Sequence, residues 1–121
     1  MKKKDVFFNN PTLGRQNLER VALEVANFIK SDPQYFYHLV VGTDSQDHTD
    51  NGASFLSLVS AIVIYKEGRG GRYFWHKEKL PTSRSLREKI YQETLASLDL
   101  AQELLPLLRQ KLNGDEYDLE I

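Results

Sequence analysis

Three strand-forming segments follow one another in the middle of this chain, and their spacing limits the fold more than any other feature. Residues 35–44, 54–66 and 72–80 are rich in the β-branched and aromatic side chains that favour strands. The polar residues 46–53 form a predicted loop that contains Asn51-Gly52, the strongest short turn signal in the chain. The glycine-rich residues 67–71 form the second connection. The sequence therefore predicts three consecutive antiparallel strands, the first of them buried at the centre of a sheet.

Helical periodicity flanks these strands on both sides. From Gln16, apolar residues recur at three- and four-residue steps until residues 31–33, where a proline ends the pattern. A longer helix is predicted over residues 85–110, because its first serine and Glu88 three positions later fit a capping box. Pro106 is expected to kink or end this helix.

The order of these segments predicts an α/β fold. Residues 1–15 are predicted to be an N-terminal arm, and residues 16–121 a single domain. Residues 116–121 alternate in polarity and predict the start of a fourth strand, so we expect the fold to be incomplete at the C-terminal end. Three strands, a helix and a fourth strand are typical of the opening of the ribonuclease H-like fold, which has a mixed sheet with flanking helices.

Composition excludes several classes of protein. The formal net charge of −1 argues against strong non-specific attraction to polyanions, although a local basic patch is compatible with it. The chain has no cysteine, which excludes disulfides, thiolate catalysis and cysteine-ligated zinc. No apolar run is long enough to span a bilayer or to form a signal peptide. We therefore expect a cytoplasmic protein with no membrane partner.

A carboxylate at the end of a buried strand is costly unless something positive accompanies it, and Asp44 stands at such a position. In ribonuclease H-like folds an aspartate on the first strand faces a glutamate on the first long helix, and the acids hold two divalent cations at a phosphodiester. At 100° per residue, Glu93 lies about 70° from the centre of the helix's apolar stripe, whereas Glu88 lies roughly opposite that stripe. We therefore predict that Asp44 and Glu93 are catalytic and bind Mg²⁺ or Mn²⁺. The stripe consists of Leu86, Ile90, Ala101, Leu104 and Leu108.

Two stretches carry a resemblance to a known family. "HLVVGTDSQDH" followed by "LREKIYQETLASLDLAQEL" resembles the YkuK-type family of uncharacterised bacterial ribonuclease H-like proteins, over nearly all of residues 16–121. The resemblance implies that Asp44 is the first-strand acid and Glu93 the helix acid. It also implies a third metal-binding acid at or near the fourth strand, a position that Asp118 or Glu120 would have to fill.

Each of these acids also has a simpler interpretation. Asp44 could cap a turn at the end of its strand. Glu93 could be a solvated side chain or an i,i+4 partner of Lys89. His48 is predicted to be catalytic, since it could bind a metal, move a proton or contact phosphate, but a lone histidine in a polar loop is more often simply exposed.

Four further side chains are predicted to bind substrate: Ser45, Gln46, Arg84 and Arg87. The first two directly follow Asp44 and could instead form a turn. The two arginines belong to a basic segment interleaved with aromatic residues 73–75, a combination that suits single strands or a phosphate backbone. An exposed hairpin whose aromatic residues cover one sheet face is the simpler alternative. The basic residues of the segment are Arg69, Arg72, His76, Lys77, Lys79, Arg84 and Arg87.

The sequence thus favours a divalent-metal-dependent nuclease-like domain that acts on a nucleic-acid phosphodiester. A catalytically inactive ribonuclease H-like module that binds nucleic acid or a protein partner is the alternative. A homodimer formed through an exposed strand edge is a third interpretation.

Overall fold

Three long strands form the centre of the structure, a computed structural model that describes residues 6–82, 85–112 and 119–120. A hairpin of two short strands precedes the first helix, and a two-residue strand follows the second helix. In chain order the elements are β1 (Phe7–Asn10), β2 (Gly14–Asn17), α1 (Leu18–Lys30), β3 (Tyr37–Asp50), β4 (Ala53–Lys66), β5 (Gly70–Pro81), α2 (Leu86–Leu112) and β6 (Leu119–Glu120).

These strands form one mixed sheet in the order β2-β1-β5-β4-β3-β6. All neighbours are antiparallel except β3 and β6, which pair in parallel at Tyr37 and His38. The three central strands, both helices and the fourth-strand start lie where the sequence predicts them. The predicted α/β fold with a ribonuclease H-like mixed sheet is therefore confirmed.

The hairpin between β3 and β4 is longer than predicted. Asn51 and Gly52 have φ angles of 51° and 79°, as a two-residue type I′ turn requires, and strand pairing begins directly at Asp50 and Ala53. The loop predicted for residues 46–53 is therefore wrong, and His48 lies within β3. The polar residues remain extended because this end of the hairpin is largely exposed, so alternate side chains point into solvent without cost.

Residues 7–17, which overlap the N-terminal arm predicted for residues 1–15, form the β1–β2 hairpin beside β5. Asn10 stabilises its turn, because its side-chain oxygen accepts from the backbone N–H groups of Thr12 and Leu13, each at 2.8 Å. The Asn10 amide also donates to the carbonyl oxygen of Tyr73 on β5 at 2.8 Å, which ties the hairpin to the sheet. A short polar segment with two turn residues lacks the length to signal two strands.

Both helices pack against the same face of the sheet. Helix α1 begins at an Asn17 cap, whose side chain accepts from the backbone N–H of Arg20, and buries one continuous apolar stripe. On β3 the side chains of Tyr37 and Leu39 point into this core, as do those of Ile62 and Ile64 on β4. We call this side of the sheet the helix face.

The opposite side carries the alternate residues of the same strands, and we call it the open face. It presents Val40, Asp44, Gln46 and His48 of β3, Tyr65 of β4, and Tyr73, Trp75, Lys77 and Lys79 of β5. Neither described helix covers it, and Val40, Tyr65, Tyr73 and Trp75 remain more than a third exposed. No helix within residues 6–82 and 85–112 is long and apolar enough to cross a membrane.

The buried stripe of α2 differs from the predicted one in its first two turns. Leu86 and Ile90 are 70% and 52% exposed, because these turns lie over the polar end of the β3–β4 hairpin rather than over the core. The helix does not end at Pro106, since it continues to Leu112. The residues that α2 buries are Ala96, Leu100, Leu104, Leu108 and Leu112.

Candidate functional site

Polar side chains join β3 to α2 where the apolar core ends. Every second residue of the strand meets every fourth residue of the helix, because two strand residues advance by roughly 6.8 Å and four helix residues by about 6 Å in the opposite direction. We call this set of contacts the polar ladder. Its three pairs are Thr43 with Ser97, Ser45 with Glu93, and Asp47 with Lys89.

The middle pair holds Glu93 firmly. Its Oε2 atom accepts from the Ser45 backbone N–H at 3.0 Å and from the Ser45 hydroxyl at 2.5 Å. Ser45 is only 9% exposed, so both donors are largely shielded from water. Hydrogen bonds to a carboxylate under such shielding are among the stronger ones in proteins. The Glu93 carboxylate is therefore fixed at the edge of β3, with Oε1 outside these two bonds.

Asp44 precedes Ser45 and points to the other side of the strand. Its register partner on β4 is Val59, and its side chain lies exposed on the open face. The Asp44 side chain makes no hydrogen bond or ion pair with any residue that the structure describes. Asp44 and Glu93 therefore flank the same point of the strand edge, one from each face, without direct contact.

Lys89 supplies a positive charge close to these acids. Its ammonium group donates to Asp47 Oδ2 at 2.9 Å. This hydrogen bond raises the pKa of Lys89, partial desolvation opposes it, and the charges of Asp47, Glu93 and Asp44 add to the increase. Lys89, the possible i,i+4 partner of Glu93, is thus paired with Asp47 of β3 instead. Its ammonium group stays charged near three carboxylates.

His48 is anchored on the open face rather than free in a loop. Its Nε2 atom shares a hydrogen bond of 2.8 Å with the Ser57 hydroxyl, and its ring stacks on Phe55 with 4.9 Å between centroids. Gln46 lies between Asp44 and His48 on the same face and is exposed. These three side chains form one row along β3, separate from the Ser45–Glu93 contact.

The remaining predicted residues lie outside this cluster. Arg87 is exposed on the first turn of α2. Arg84 and Asp118 lie outside the described residues, and the backbone of Glu120 pairs with His38 through β6. The described residues contain no group of three or more histidine and acidic side chains that could hold a metal ion. They contribute Asp44 and Glu93 as candidate oxygen ligands from two separate elements.

The sequence analysis does not predict two pairs of the polar ladder, Thr43 with Ser97 and Asp47 with Lys89. Thr43 also shares a hydrogen bond of 3.0 Å with Ser60 on β4, so the first pair reaches into the sheet. A usable signal existed, because Thr43 and Asp47 flank Ser45 at two-residue steps, as Ser97 and Lys89 flank Glu93 at four-residue steps.

Comparison with known proteins identifies the family. A family model described as Ribonuclease H-like matches residues 20–121. The uncharacterized protein YkuK of Bacillus subtilis (strain 168) is 31% identical over 100 residues, which cover 81% of this chain and 55% of that protein. The chain thus spans little more than half the length of this relative. No solved structure matches. These matches confirm the expected resemblance, and the chain belongs to the ribonuclease H-like family.

Proposed function

We propose that this domain hydrolyses a nucleic-acid phosphodiester with the help of a divalent cation bound by Asp44 and Glu93. The observation that carries the proposal is the pair of hydrogen bonds from Ser45 to Glu93 Oε2, which fixes a helix carboxylate at the edge of the strand that carries Asp44. A glutamate placed only for solubility would not need two shielded donors. Membership of the ribonuclease H-like family supports the same chemistry.

The carboxylate oxygens of Asp44 and Glu93 are the type of ligand atom that a hard cation prefers. Mg²⁺ and Mn²⁺ prefer carboxylate oxygen, and Mg²⁺ is commonly held by one or two carboxylates together with waters and substrate phosphate. Asp44 is exposed with both oxygens outside any hydrogen bond to described residues, and Glu93 keeps Oε1 outside its bonds to Ser45. Asp118 would be a third ligand. When bound, such a cation offsets phosphate charge and makes water a better nucleophile.

The chain's own residues would position the substrate. Ser45 keeps Glu93 at the strand edge, so the carboxylate does not have to be ordered when substrate binds. Gln46 and His48 continue the Asp44 row at steps of roughly 6.8 Å, so both could contact a nucleic-acid strand bound at Asp44. Arg84 and Arg87 would contact phosphates near the start of α2.

Manganese titration tests the metal site. Calorimetry should show Mn²⁺ binding to the wild type and much weaker binding to Asp44→Asn and to Glu93→Gln. Asp50→Asn is the matched control, since it removes an exposed carboxylate from the same strand at the hairpin turn. Equal binding by all four proteins, or binding by none, would refute the metal site. Hydrolysis of RNA–DNA hybrid, duplex and single-stranded substrates should then follow metal binding.

A second candidate function is a binding module without hydrolysis, and Lys89 is the observation that favours it. Its ammonium group already supplies positive charge to Asp47, Glu93 and Asp44. If Lys89 competes with a cation, Lys89→Gln should bind Mn²⁺ more tightly than the wild type. Nucleic-acid binding by a wild type that neither binds Mn²⁺ nor cleaves any substrate would establish this candidate. The homodimer through a strand edge stays a prediction that sedimentation can check.

A further inference from the structure

The row of β5 side chains on the open face combines two aromatic rings with two cations. Tyr73 and Trp75 are 47% and 37% exposed on the open face, and Lys77 and Lys79 continue the same row. We propose that this row binds single-stranded nucleic acid, with bases stacked on the two rings and phosphates neutralised by the two lysines. The proposal rests on the proposed nucleic-acid substrate but not on the cation or on hydrolysis.

The spacing of the row suits a single strand. Residues two apart on an antiparallel strand are separated by roughly 6.8 Å, so Tyr73 and Trp75 present neighbouring platforms on one surface. Exposed aromatic residues on an open sheet stack successive unpaired bases in other nucleic-acid-binding folds. A duplex keeps its bases stacked inside the helix and cannot use such platforms.

Contacts across the sheet hold part of the row in place. The ammonium group of Lys79 lies 4.3 Å from the ring centre of Phe55, which in turn stacks on His48. This cation–π contact keeps the lysine on the open face rather than in free solution. The acids of the open face within β3, Asp44 and Asp50, stand two strands away from β5. The β5 side of the face is therefore cationic where phosphate would lie.

Charge distinguishes this ligand from a second copy of the chain. A symmetric pair of open faces whose two-fold axis passed through β5 would bring Lys77 and Lys79 towards the same lysines of the other copy, and repulsion would oppose that contact. The exposed rings are large, while the central positions of the face are small or medium apolar residues such as Val40 and Val63. Flat rings beside cations match a base-and-phosphate ligand better than an apolar protein surface.

Trp75 is the only tryptophan in the chain, so its fluorescence reports directly on this surface. In EDTA, a single-stranded oligonucleotide of about 16 nucleotides should quench Trp75 fluorescence, while a blunt duplex of equal length should not. DNA and RNA strands are tested separately. Inorganic polyphosphate serves as a polyanion without bases and should compete only weakly.

Tyr73→Ala should weaken binding about tenfold, within the ~5- to 150-fold range expected for loss of one base stack. Tyr91→Ala is the matched control, since this tyrosine is 64% exposed on α2 and should leave affinity unchanged. Tyr73→Phe should bind the oligonucleotide with the affinity of the wild type, because it keeps the aromatic ring. Replacing Lys77 and Lys79 by alanine should lower the slope of log affinity against log salt by about 1.4.

Several results would overturn the proposal. Equal affinity of Tyr73→Ala and Tyr91→Ala for the oligonucleotide would show that no base stacks on Tyr73. Competition by polyphosphate as strong as that by the oligonucleotide itself would show that charge alone accounts for binding. Concentration-dependent self-association that Trp75→Ala abolishes, without oligonucleotide binding, would make the face an interface between copies. Because every arm is metal-free, loss of hydrolysis in Glu93→Gln with retained binding would leave this inference intact.

Discussion

The bond between Ser45 and Glu93 can be measured by removing one hydroxyl. Ser45→Ala deletes the 2.5 Å hydrogen bond to Glu93 Oε2 but leaves the backbone N–H bond at 3.0 Å. A hydrogen bond to a charged group contributes about 1.5–3 kcal/mol net. Because Glu93 is only half-buried and keeps one donor, we expect a loss of about 1.5–2 kcal/mol in the free energy of unfolding.

Ser97→Ala provides the matched control on the same ladder. Its hydroxyl donates to the neutral Thr43 hydroxyl at 2.8 Å, a bond that contributes only about 0.5–1.5 kcal/mol. Alanine also favours a helix over serine by roughly 0.5 kcal/mol, which offsets part of that loss. Ser45→Ala should therefore be about 1 kcal/mol more destabilising than Ser97→Ala.

Urea unfolding followed by circular dichroism is a suitable assay. With a denaturant slope of about 1–3 kcal/mol/M, the midpoint for Ser45→Ala should fall by roughly 1 M. A double-mutant cycle with Glu93→Gln isolates the coupling between the two side chains. A coupling energy below about 0.5 kcal/mol, within the additivity of independent sites, would refute the claim that Ser45 fixes Glu93.

Three further predictions concern the core and the sheet. Burial raises the pKa of Tyr37 above its ordinary value of 10.0, and the neighbouring Asp32 and Tyr35 add to the increase. The contribution of Tyr37 to folding stability should therefore be constant below pH 10.0 and fall as the pH rises above it. Tyr37→Phe should flatten this part of the alkaline fall in pH-dependent thermal unfolding. Leu104→Ala should cost about 2–5 kcal/mol in urea unfolding because that side chain is fully buried, whereas Leu98→Ala, 52% exposed, should cost far less. Gly71→Ala should lower the melting temperature strongly because a Cβ there would overlap the backbone of β4, whereas Gly42→Ala has open space and should be tolerated.

Local chemistry explains which parts of the fold could be predicted. Asn51-Gly52 specifies a two-residue turn through its backbone preferences, and the turn lies where the sequence places it. The predicted loop around this turn is too long, because a polar composition is more typical of irregular structure than of a strand. A hairpin paired from its first residue can carry polar side chains on both faces when its end projects into solvent.

The exposed start of α2 shows the limit of periodicity. Leu86 and Ile90 share the apolar phase of the helix but lie over the polar hairpin end, where no core reaches them. A helical pattern shows which side of a helix is apolar, and it does not show how much of the helix's length the sheet covers. That information depends on where the strands end.

The candidate site, too, could be predicted only in part. The phase of Glu93 placed it at the border of the buried stripe, and it is half-buried there. Its direct partner is Ser45 rather than Asp44, because neighbouring strand residues point to opposite faces. Which face a strand residue takes follows from the buried positions Tyr37 and Leu39, whose odd numbers Ser45 shares.

The polar ladder also makes the two ends of the helix–strand contact respond differently to ionic strength. Its pair nearest the core, Thr43 with Ser97, is uncharged, whereas the outermost pair is the exposed ion pair of Asp47 and Lys89. Dissolved salt screens the outer pair and leaves the inner one almost unaffected. Rising salt should therefore weaken the contact between the first turns of α2 and the end of the β3–β4 hairpin. The C-terminal half of the helix should stay packed against the sheet.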